Sequence, residues 1–215
     1  MTALELVNAV LKRLRQDTIS DFANLSYYEK DILAKLNDVQ SELWHEIDWR
    51  PLKKTHSLTL SANTATYDLP SDFGRLIGRP YTNSPSYQII EPVGDDEWQE
   101  ETYGKTNSGT PYICRVFDSN ANSYIPKISF YYTPDDSWNS KAVYIDYQKR
   151  LSDLSSVNDI SPFPDEVMIQ GAVCKIKAAD GDLTPREDRD FERMRATLIV
   201  GSARERNRKV KYRDF

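Results

Sequence analysis

The apolar residues of this sequence change their spacing twice, and this change limits the folds that the chain can adopt. Near both ends they recur every three or four positions, as on a helix with one buried face. In the middle they alternate, as in "HSLTLSA", with the period of a half-buried strand. The sequence therefore predicts an α+β chain with helical ends and a strand-rich insert.

Capping boxes mark three predicted helix starts. They are Thr2 with Glu5, Ser26 with Glu29, and Thr184 with Glu187. Together with the apolar spacing, they predict helices over residues 3–15 and 27–47, a third from Pro164 and a fourth from Pro185. The residues expected to face inward are Leu4, Val7, Leu11 and Leu14; Tyr28, Ile32, Leu36, Val39, Leu43 and Ile47; Val167, Gly171, Cys174 and Ala178; and Phe191, Met194 and Leu198.

The stretch "TYDLPSDF" stands between two predicted strands. The strand that contains it follows "HSLTLSA" after Asn63, a turn residue, which predicts a hairpin between the two. Pro70 lacks the N–H that would continue a ladder, and residues 71–72 are typical of a turn, so Phe73 is expected to pack back. Further strands are predicted at residues 75–81, 87–91, 112–117, 127–132 and 142–149, with a short helix at 95–103.

These elements predict three parts. Residues 1–50 and 160–203 form a helical bundle from both chain ends, and residues 51–159 form an inserted antiparallel β-barrel or β-sandwich module. Residues 204–215 form a basic C-terminal docking tail. No apolar run is long enough for a membrane helix, and the N-terminus lacks the pattern of a signal peptide, so a cytosolic start is expected.

Short catalytic and cofactor-binding motifs are absent from the sequence. It contains no P-loop, no dinucleotide fingerprint and no nucleophile elbow. His45 and His56 have no neighbouring cysteine cluster, which argues against a zinc site. Cys114 and Cys174 share no spacing motif and are expected to be buried apolar residues. We therefore expect no enzymatic activity, no metal and no cofactor.

Acidic residues leave one enzymatic alternative open. Five of them fall within residues 95–101, where a solvated helix face is the simpler interpretation, because an acid–base pair needs separated carboxyl groups in different environments. A carbohydrate-active cell-wall hydrolase that uses carboxylates of the β module remains the alternative. The acidic stretch "DGDLTPRED" does not fit a calcium loop and instead predicts that Gly181 ends one helix before the next begins.

The last twelve residues are strongly basic. The basic residues are Arg204, Arg206, Arg208, Lys209, Lys211 and Arg213, and the aromatic ones are Tyr212 and Phe215. Because the whole chain carries a net charge of −5 and residues 204–213 carry +5, the remainder carries −10. A solvated tail, a nucleic-acid arm and an arm that docks on a protein all remain open. The terminal aromatic residues favour docking, since a phosphate-binding arm does not need them.

The order of several motifs resembles tailed-phage head-to-tail adaptor proteins, also called head completion, connector or tail tubular proteins. The motifs are "LNDVQSELWHEIDWRPL", "HSLTLSANTATYDLPSDFGRLIGRPY", "SGTPYICRVF", "ISFYYTPDD", "VYIDYQKRLSDLSS" and "FPDEVMIQGAVCKIKAADGD". They span roughly residues 30–182, and "FPDE" departs mildly from the Leu-Pro-Glu pattern of the family.

The resemblance implies a structural protein of the virion neck that is assembled in the host cytoplasm. It implies a helical bundle with an inserted β module, and a ring of about twelve copies beneath the portal protein. Such a ring extends the channel for double-stranded DNA, without sequence-specific binding, and presents a platform to tail or nozzle proteins. The mean hydropathy of −0.64 predicts a monomer or weak oligomer that closes into a ring only when docked. No membrane partner is expected.

Overall fold

In the computed structural model the chain divides into two units. The structure describes residues 1–83, 87–118 and 125–210, of which Asp118 and residues 202–210 are described by their backbone alone. One unit joins the two chain ends, Met1–Pro51 and Leu151–Phe215, and the other is the intervening Leu52–Arg150. Helices and mostly antiparallel strands make this a mixed α and β fold.

Among its described residues, the helical unit contains four α-helices. They are α1 (Ala3–Arg13), α2 (Tyr27–Glu46), α4 (Asp165–Asp180) and α5 (Pro185–Val210), with α3 lying in the other unit. The predicted capping boxes of α1 and α2 are confirmed, because the side chains of Thr2 and Ser26 each accept a backbone N–H at the third helical position. Gly181 ends α4 in the left-handed conformation, and Thr184 accepts the backbone N–H of Glu187, as expected.

Helix α4 is the centre of the helical unit, where α1, α2 and α5 all pack against it. Its buried residues therefore surround much of the helix and do not form a single face: Val167, Met168, Ile169, Gly171, Ala172, Val173, Cys174 and Ile176. The prediction for Ala178 was wrong, because this residue lies near the exposed end of α4.

The apolar face of α2 is confirmed from Ile32 to Ile47, although Tyr28 is 36% exposed. The face of α1 is rotated from the predicted one, so that Leu6 and Val10 are fully buried while Leu4 and Leu14 are only half-buried. On α5, Phe191 is buried, and Met194 and Leu198 are half-buried.

The segment after residue 150 belongs to the helical unit although it lacks regular structure. Asn37 of α2 exchanges two hydrogen bonds with the backbone of Leu154, at 2.8 and 3.2 Å. Gln40 donates to the carbonyl of Ser152 at 3.0 Å, and the amide of Ala3 donates to the carbonyl of Asp159 at 2.7 Å. These bonds explain why the boundary between the units lies at residue 150, whereas the sequence-based division placed it at 159.

In the part of the other unit that the structure describes, there are eleven strands and α3 (Asp95–Thr102). The strands are β1 (Lys53–Thr59), β2 (Thr66–Asp68), β3 (Phe73–Leu76), β4 (Tyr81–Thr82), β5 (Gln88–Ile89), β6 (Glu91–Pro92), β7 (Ser108–Gly109), β8 (Ile113–Asp118), β9 (Pro126–Tyr131), β10 (Thr133–Pro134) and β11 (Ala142–Lys149). One sheet has the order β1-β11-β4-β5, with β3 also paired to β11, and another has the order β2-β9-β8-β6. Strands β7 and β10 form a short parallel pair.

The predicted hairpin between "HSLTLSA" and "TYDLP" was wrong. Strand β1 pairs with β11 and β2 pairs with β9, so the turn at Asn63 leads from one sheet to the other. The expectation for "TYDLPSDF" is confirmed, because the chain turns after Pro70 and Phe73 is 2% exposed and stacked on Tyr147 at 5.4 Å. This stretch therefore connects one sheet to the other, and its Phe73 fills part of the core.

The two larger sheets contribute side chains to one hydrophobic core. Its members are Leu58, Leu60, Leu69, Phe73, Ile90, Cys114, Ile128, Phe130, Trp138, Val143, Ile145 and Tyr147. Within the described strands the sheets keep open ends, so they do not close into a barrel. Among the described helices, none is long and apolar enough to cross a membrane.

Candidate assembly surfaces

The first turns of α5 are fixed to α4 by an unusually close approach. A Cβ atom at Gly171 would lie 2.8 Å from the ring of Phe191 and 2.8 Å from a methyl group of Val39 on α2. Only a glycine leaves room for both neighbours at this point. Helix α5 is therefore held at Phe191 by packing that includes α2 and α4.

Two ion pairs add polar anchors to the same part of α5. Lys177 of α4 donates to the carboxylate of Glu187, and the guanidinium of Arg195 binds Glu46 of α2 through two nitrogens. The Nε–Oε2 distance of the second pair is 2.8 Å, and Arg195 also donates to Glu192 at 3.0 Å. A two-nitrogen arginine–carboxylate bond fixes orientation as well as position.

The same contacts shift the pKa values of these groups. The Lys177 ammonium and the Thr184 hydroxyl lower the pKa of Glu187 to about 2. The hydrogen bond from Arg195 lowers the pKa of Glu46, and Glu46 in turn raises the pKa of Arg195. All three groups are therefore charged at neutral pH, which maintains the anchors.

The predicted docking residues lie at the far end of α5. Arg204, Arg206, Arg208 and Lys209 continue the helical backbone to Val210, while Lys211, Tyr212, Arg213 and Phe215 lie outside the described residues. Arginine, lysine and alanine favour helix, which accounts for the continuation of α5 through residues that the sequence-based division assigned to a tail. Val200 and Gly201, just before the basic segment, are exposed.

Helix α3 carries the predicted acidic face, and Arg115 attaches it to the sheet. The solvated face is confirmed, since residues 95–97 and 100 are exposed. The guanidinium of Arg115 lies 5.1 Å from the ring of Trp98 and 4.9 Å from that of Phe117, and it donates to Asp95 at 3.2 Å. An arginine that lies over two aromatic rings and also binds a carboxylate is positioned to hold a helix in place.

One protein family matches the chain over residues 1–212. Its description is SU10 adaptor protein. The chain belongs to the SU10 adaptor protein family. No curated protein matches it.

Membership of the SU10 adaptor family gives the chain a structural role as a phage adaptor. It implies association with other phage head or tail proteins and a location at the virion neck. The sequence-based resemblance is thus confirmed at the level of a phage adaptor.

The hydrolase alternative is not supported in this SU10 adaptor. A catalytic acid needs a raised carboxyl pKa. Among the described residues, every carboxyl group with a shifted pKa has it lowered: Glu46, Asp72, Asp135, Asp159 and Glu187. In the β unit these carboxylates have partners, as in Asp72, which accepts from Lys54 at 2.6 Å and Tyr147 at 2.8 Å.

Within the described part of the adaptor, no three His, Cys, Asp or Glu side chains come together as a metal site. His45 lies near the end of α2 and His56 lies on β1, where burial lowers the pKa of its imidazole. Cys114 and Cys174 are buried free thiols, as expected.

Sequence reasoning missed a row of side chains on the outer face of the β1-β11-β4-β5 sheet. Ser57, Tyr144, Tyr81 and Ile89 lie opposite one another across the four strands. Tyr81 stacks on Tyr144 at 5.4 Å and lies 5.7 Å from Tyr87. The alternation of β11 was visible in "AVYIDYQ", but the pairing that aligns these residues is not a local property.

Proposed function

We propose that the protein joins the portal ring to the tail, and that about twelve copies close into a ring that extends the DNA channel. It presents a platform to tail or nozzle proteins at the far side. Its helical units form the bundle expected of the family, and the β units are inserted modules of the sandwich type.

The observation that carries this proposal concerns the two ends of α5. Its N-terminal half is held by α2 and α4, and its C-terminal end is basic. Helix α5 has 26 residues and is about 39 Å long at 1.5 Å per residue. Its described contacts with α2 and α4 include Glu187, Phe191 and Arg195, all in the first half of the helix. A helix that is fixed at one end and strongly basic at the other is suited to reach a separate, acidic partner.

The distribution of charge supports different roles for the acidic and the basic parts of the chain. The basic segment, residues 204–213, carries +5, and the remainder of the chain carries −10. A mainly acidic ring repels a passing polyanion and keeps double-stranded DNA from sticking to the channel. The basic residues instead form charge-assisted bonds with carboxylates of the portal, and Tyr212 and Phe215 fill apolar pockets between portal subunits.

The proposal is tested by cosedimentation with portal-bearing heads that lack the adaptor. The variants are a deletion of residues 204–215, replacement of its six basic residues by Gln, and Phe215→Ala. The matched control replaces six exposed basic residues elsewhere by Gln, namely Lys12, Arg15, Lys30, Lys105, Arg186 and Arg193. Melting temperatures of all variants establish that the described fold is intact.

The expected results distinguish the ionic contacts of the basic residues from the apolar contact of Phe215. Deletion leaves the melting temperature nearly unchanged and abolishes attachment, because the deleted residues follow the anchors of α5. The Gln variant binds weakly and loses the salt dependence of wild type, whereas Phe215→Ala binds weakly but keeps it. Wild-type occupancy by the truncated protein would show that this segment is only a solvated end. Loss of attachment after nuclease treatment would indicate a nucleic-acid arm instead.

A further inference from the structure

Strand β1 leaves one side of its sheet unpaired. It pairs with β11 over seven residues without a register shift, and the described residues place no strand on its other side. Thr55, Ser57 and Thr59 are exposed. An unpaired edge presents backbone N–H and C=O groups to any strand that approaches.

The β1 edge lacks the devices that usually keep an edge unpaired. Its only lysines lie at one end and are held in ion pairs. The ammonium of Lys53 is 3.0 Å from the carboxylate of Asp146. That of Lys54 is 2.6 Å from Asp72. Residues 55–59 include no lysine, arginine, carboxylate, proline or bulge, so this edge is suited to accept a further strand.

Backbone directions define the part of β1 that is open to a partner. The amide of Leu60 donates to the carbonyl of Lys141, next to β11, and backbone groups of successive residues in a strand point in alternate directions. The odd-numbered residues of 53–59 therefore point their backbone groups away from β11. The amide and carbonyl of Ser61 both bond with the hydroxyl of Tyr67, at 2.9 and 3.1 Å, so the open edge ends before Ser61.

The open edge is complementary to a second copy of itself. Two β1 strands can lie antiparallel with His56 opposite His56. Lys53 then faces Thr59, and Thr55 faces Ser57. All seven residues of each strand are paired, and the outward backbone groups of one copy meet those of the other. A shift of two residues leaves only five of the seven in pairs, and a shift of one puts outward groups against inward groups.

The side chains agree with this register, because no like charges face each other. Lys53 faces Thr59, and Lys54 faces Leu58. Burial lowers the pKa of His56, so the two imidazoles that meet are uncharged at neutral pH. Hydroxyl side chains opposite each other are favourable cross-strand pairs, whereas like charges directly opposite are destabilising.

We infer that two copies of this chain join their β1 edges antiparallel about a two-fold axis, with His56 of one copy opposite His56 of the other. Antiparallel pairing places the points where the chain enters β1 from the helical unit at opposite ends of the paired strands. Such a contact uses the same surface on both copies and therefore closes at two. It is distinct from the head-to-tail contacts of the proposed ring and belongs to protein that has not docked.

The dimer is expected to be weak. The paired edge contributes seven residues a side, compared with roughly 20–30 in an interface of standard size. A concentration-dependent dimer is therefore the form of weak oligomer that this edge supports.

Disulfide formation tests the register. The backbone groups of His56 point towards β11, so His56 and its copy form a non-hydrogen-bonded pair with a Cα separation of about 4.5 Å, within the range of a disulfide. His56→Cys is oxidised mildly as concentrated protein and is resolved on non-reducing gels. We expect a covalent dimer and no larger species, because Cys114 and Cys174 are buried.

The controls are Thr55→Cys and Ser57→Cys. In the inferred register each lies diagonal to its own copy, at about 7–8 Å, so each alone should yield at least about five-fold less dimer than His56→Cys. A mixture of the two variants, one of them carrying a size tag, should form a mixed dimer, because Thr55 faces Ser57. Efficient dimers of Thr55→Cys alone or Ser57→Cys alone would overturn this register. The absence of both the His56→Cys dimer and the mixed dimer would overturn the pairing itself.

Sedimentation velocity over a range of concentrations tests the same edge without a crosslink. Ser57→Pro removes no bond to β11, because the amide of Ser57 points outward, so the melting temperature should change little while dimerisation weakens at least about ten-fold. Ser57→Ala is the matched control and should dimerise like wild type. Equal dimerisation of the two variants would overturn the inference. A wild-type protein that stays monomeric at all concentrations would also overturn it and would leave the edge to a strand from another protein.

Discussion

Gly171 of α4 packs against Phe191 of α5 with no room for a side chain, because a Cβ at Gly171 would lie 2.8 Å from the phenyl ring. Real Cβ atoms are not found so close to neighbouring atoms, so a neighbouring side chain or its helix would have to shift. This approach fixes the base of the helix that carries the basic segment. Gly171 therefore affects both the stability of the helical unit and the position of the proposed docking arm.

Replacing Gly171 by Ala is expected to destabilise the helical unit. Overpacking costs about 1–3 kcal/mol, and the better helix propensity of Ala offsets at most about 1 kcal/mol. The net loss is measured by urea denaturation followed by circular dichroism. Gly201→Ala on α5 is the matched control, since a Cβ there meets no atom within 4 Å, and it is expected to be neutral or stabilising. Equal stability of the two variants would refute the close-packing account.

The anchor between Glu187 and Lys177 is expected to make stability depend on acid pH. The folded-state pKa of Glu187 is about 2, below its ordinary value, so its contribution is present above the unfolded pKa of about 4.3 and is lost as pH falls towards 2. Melting temperatures of wild type and Glu187→Gln are compared between pH 7 and pH 2. The difference between them should shrink on acidification. A difference that stays constant over this range would show that the charge of Glu187 is not involved.

Replacing Asp72 by Asn is expected to lower the pKa of Tyr147. Burial and the Asp72 carboxylate together raise the pKa of the Tyr147 hydroxyl to about 12. Removing the negative charge leaves burial alone, so the pKa should fall towards, but not reach, the ordinary value of about 10. Ultraviolet difference spectroscopy of tyrosinate, with Tyr147→Phe to identify the transition, measures the change. An unchanged transition in the Asn variant would contradict the contact.

Replacing Arg115 by Lys is expected to loosen α3. The planar guanidinium lies over the rings of both Trp98 and Phe117, and a lysine ammonium cannot reproduce this arrangement. Amide hydrogen exchange of residues 95–102 should become faster while that of β8 and β9 changes little. Lys127→Arg, at an exposed ion pair with Asp68, is the control. Unchanged exchange in α3 would show that other contacts hold the helix.

Local signals were sufficient to predict much of the fold. Capping at Thr2, Ser26 and Thr184 depends on residues three positions apart, and it occurs as expected. The apolar face of α2 and the bounds of β11 also follow from short-range periodicity. These features are predictable because they depend on residues that are close together in the sequence.

Contacts between residues that are distant in the sequence were not predictable in the same way. Strand β1 pairs with a strand more than eighty residues later, although a nearer strand was available, and this pairing places Leu58 opposite Val143 in the core. The close approach at Gly171 depends on three helices at once. The docking role of residues 204–215 remains a prediction from charge and aromatic composition, since their side chains lie outside the described structure.

The most direct test of the account is electron microscopy of portal-bearing heads with and without the purified protein, paired with light scattering of the protein alone. The account predicts a ring of added density at the portal vertex and a monomer or weak oligomer in the absence of heads. Symmetry analysis of the added density measures the copy number. A stable ring in dilute solution without portal would contradict assembly on docking, and the absence of added density at the portal vertex would contradict the adaptor function itself.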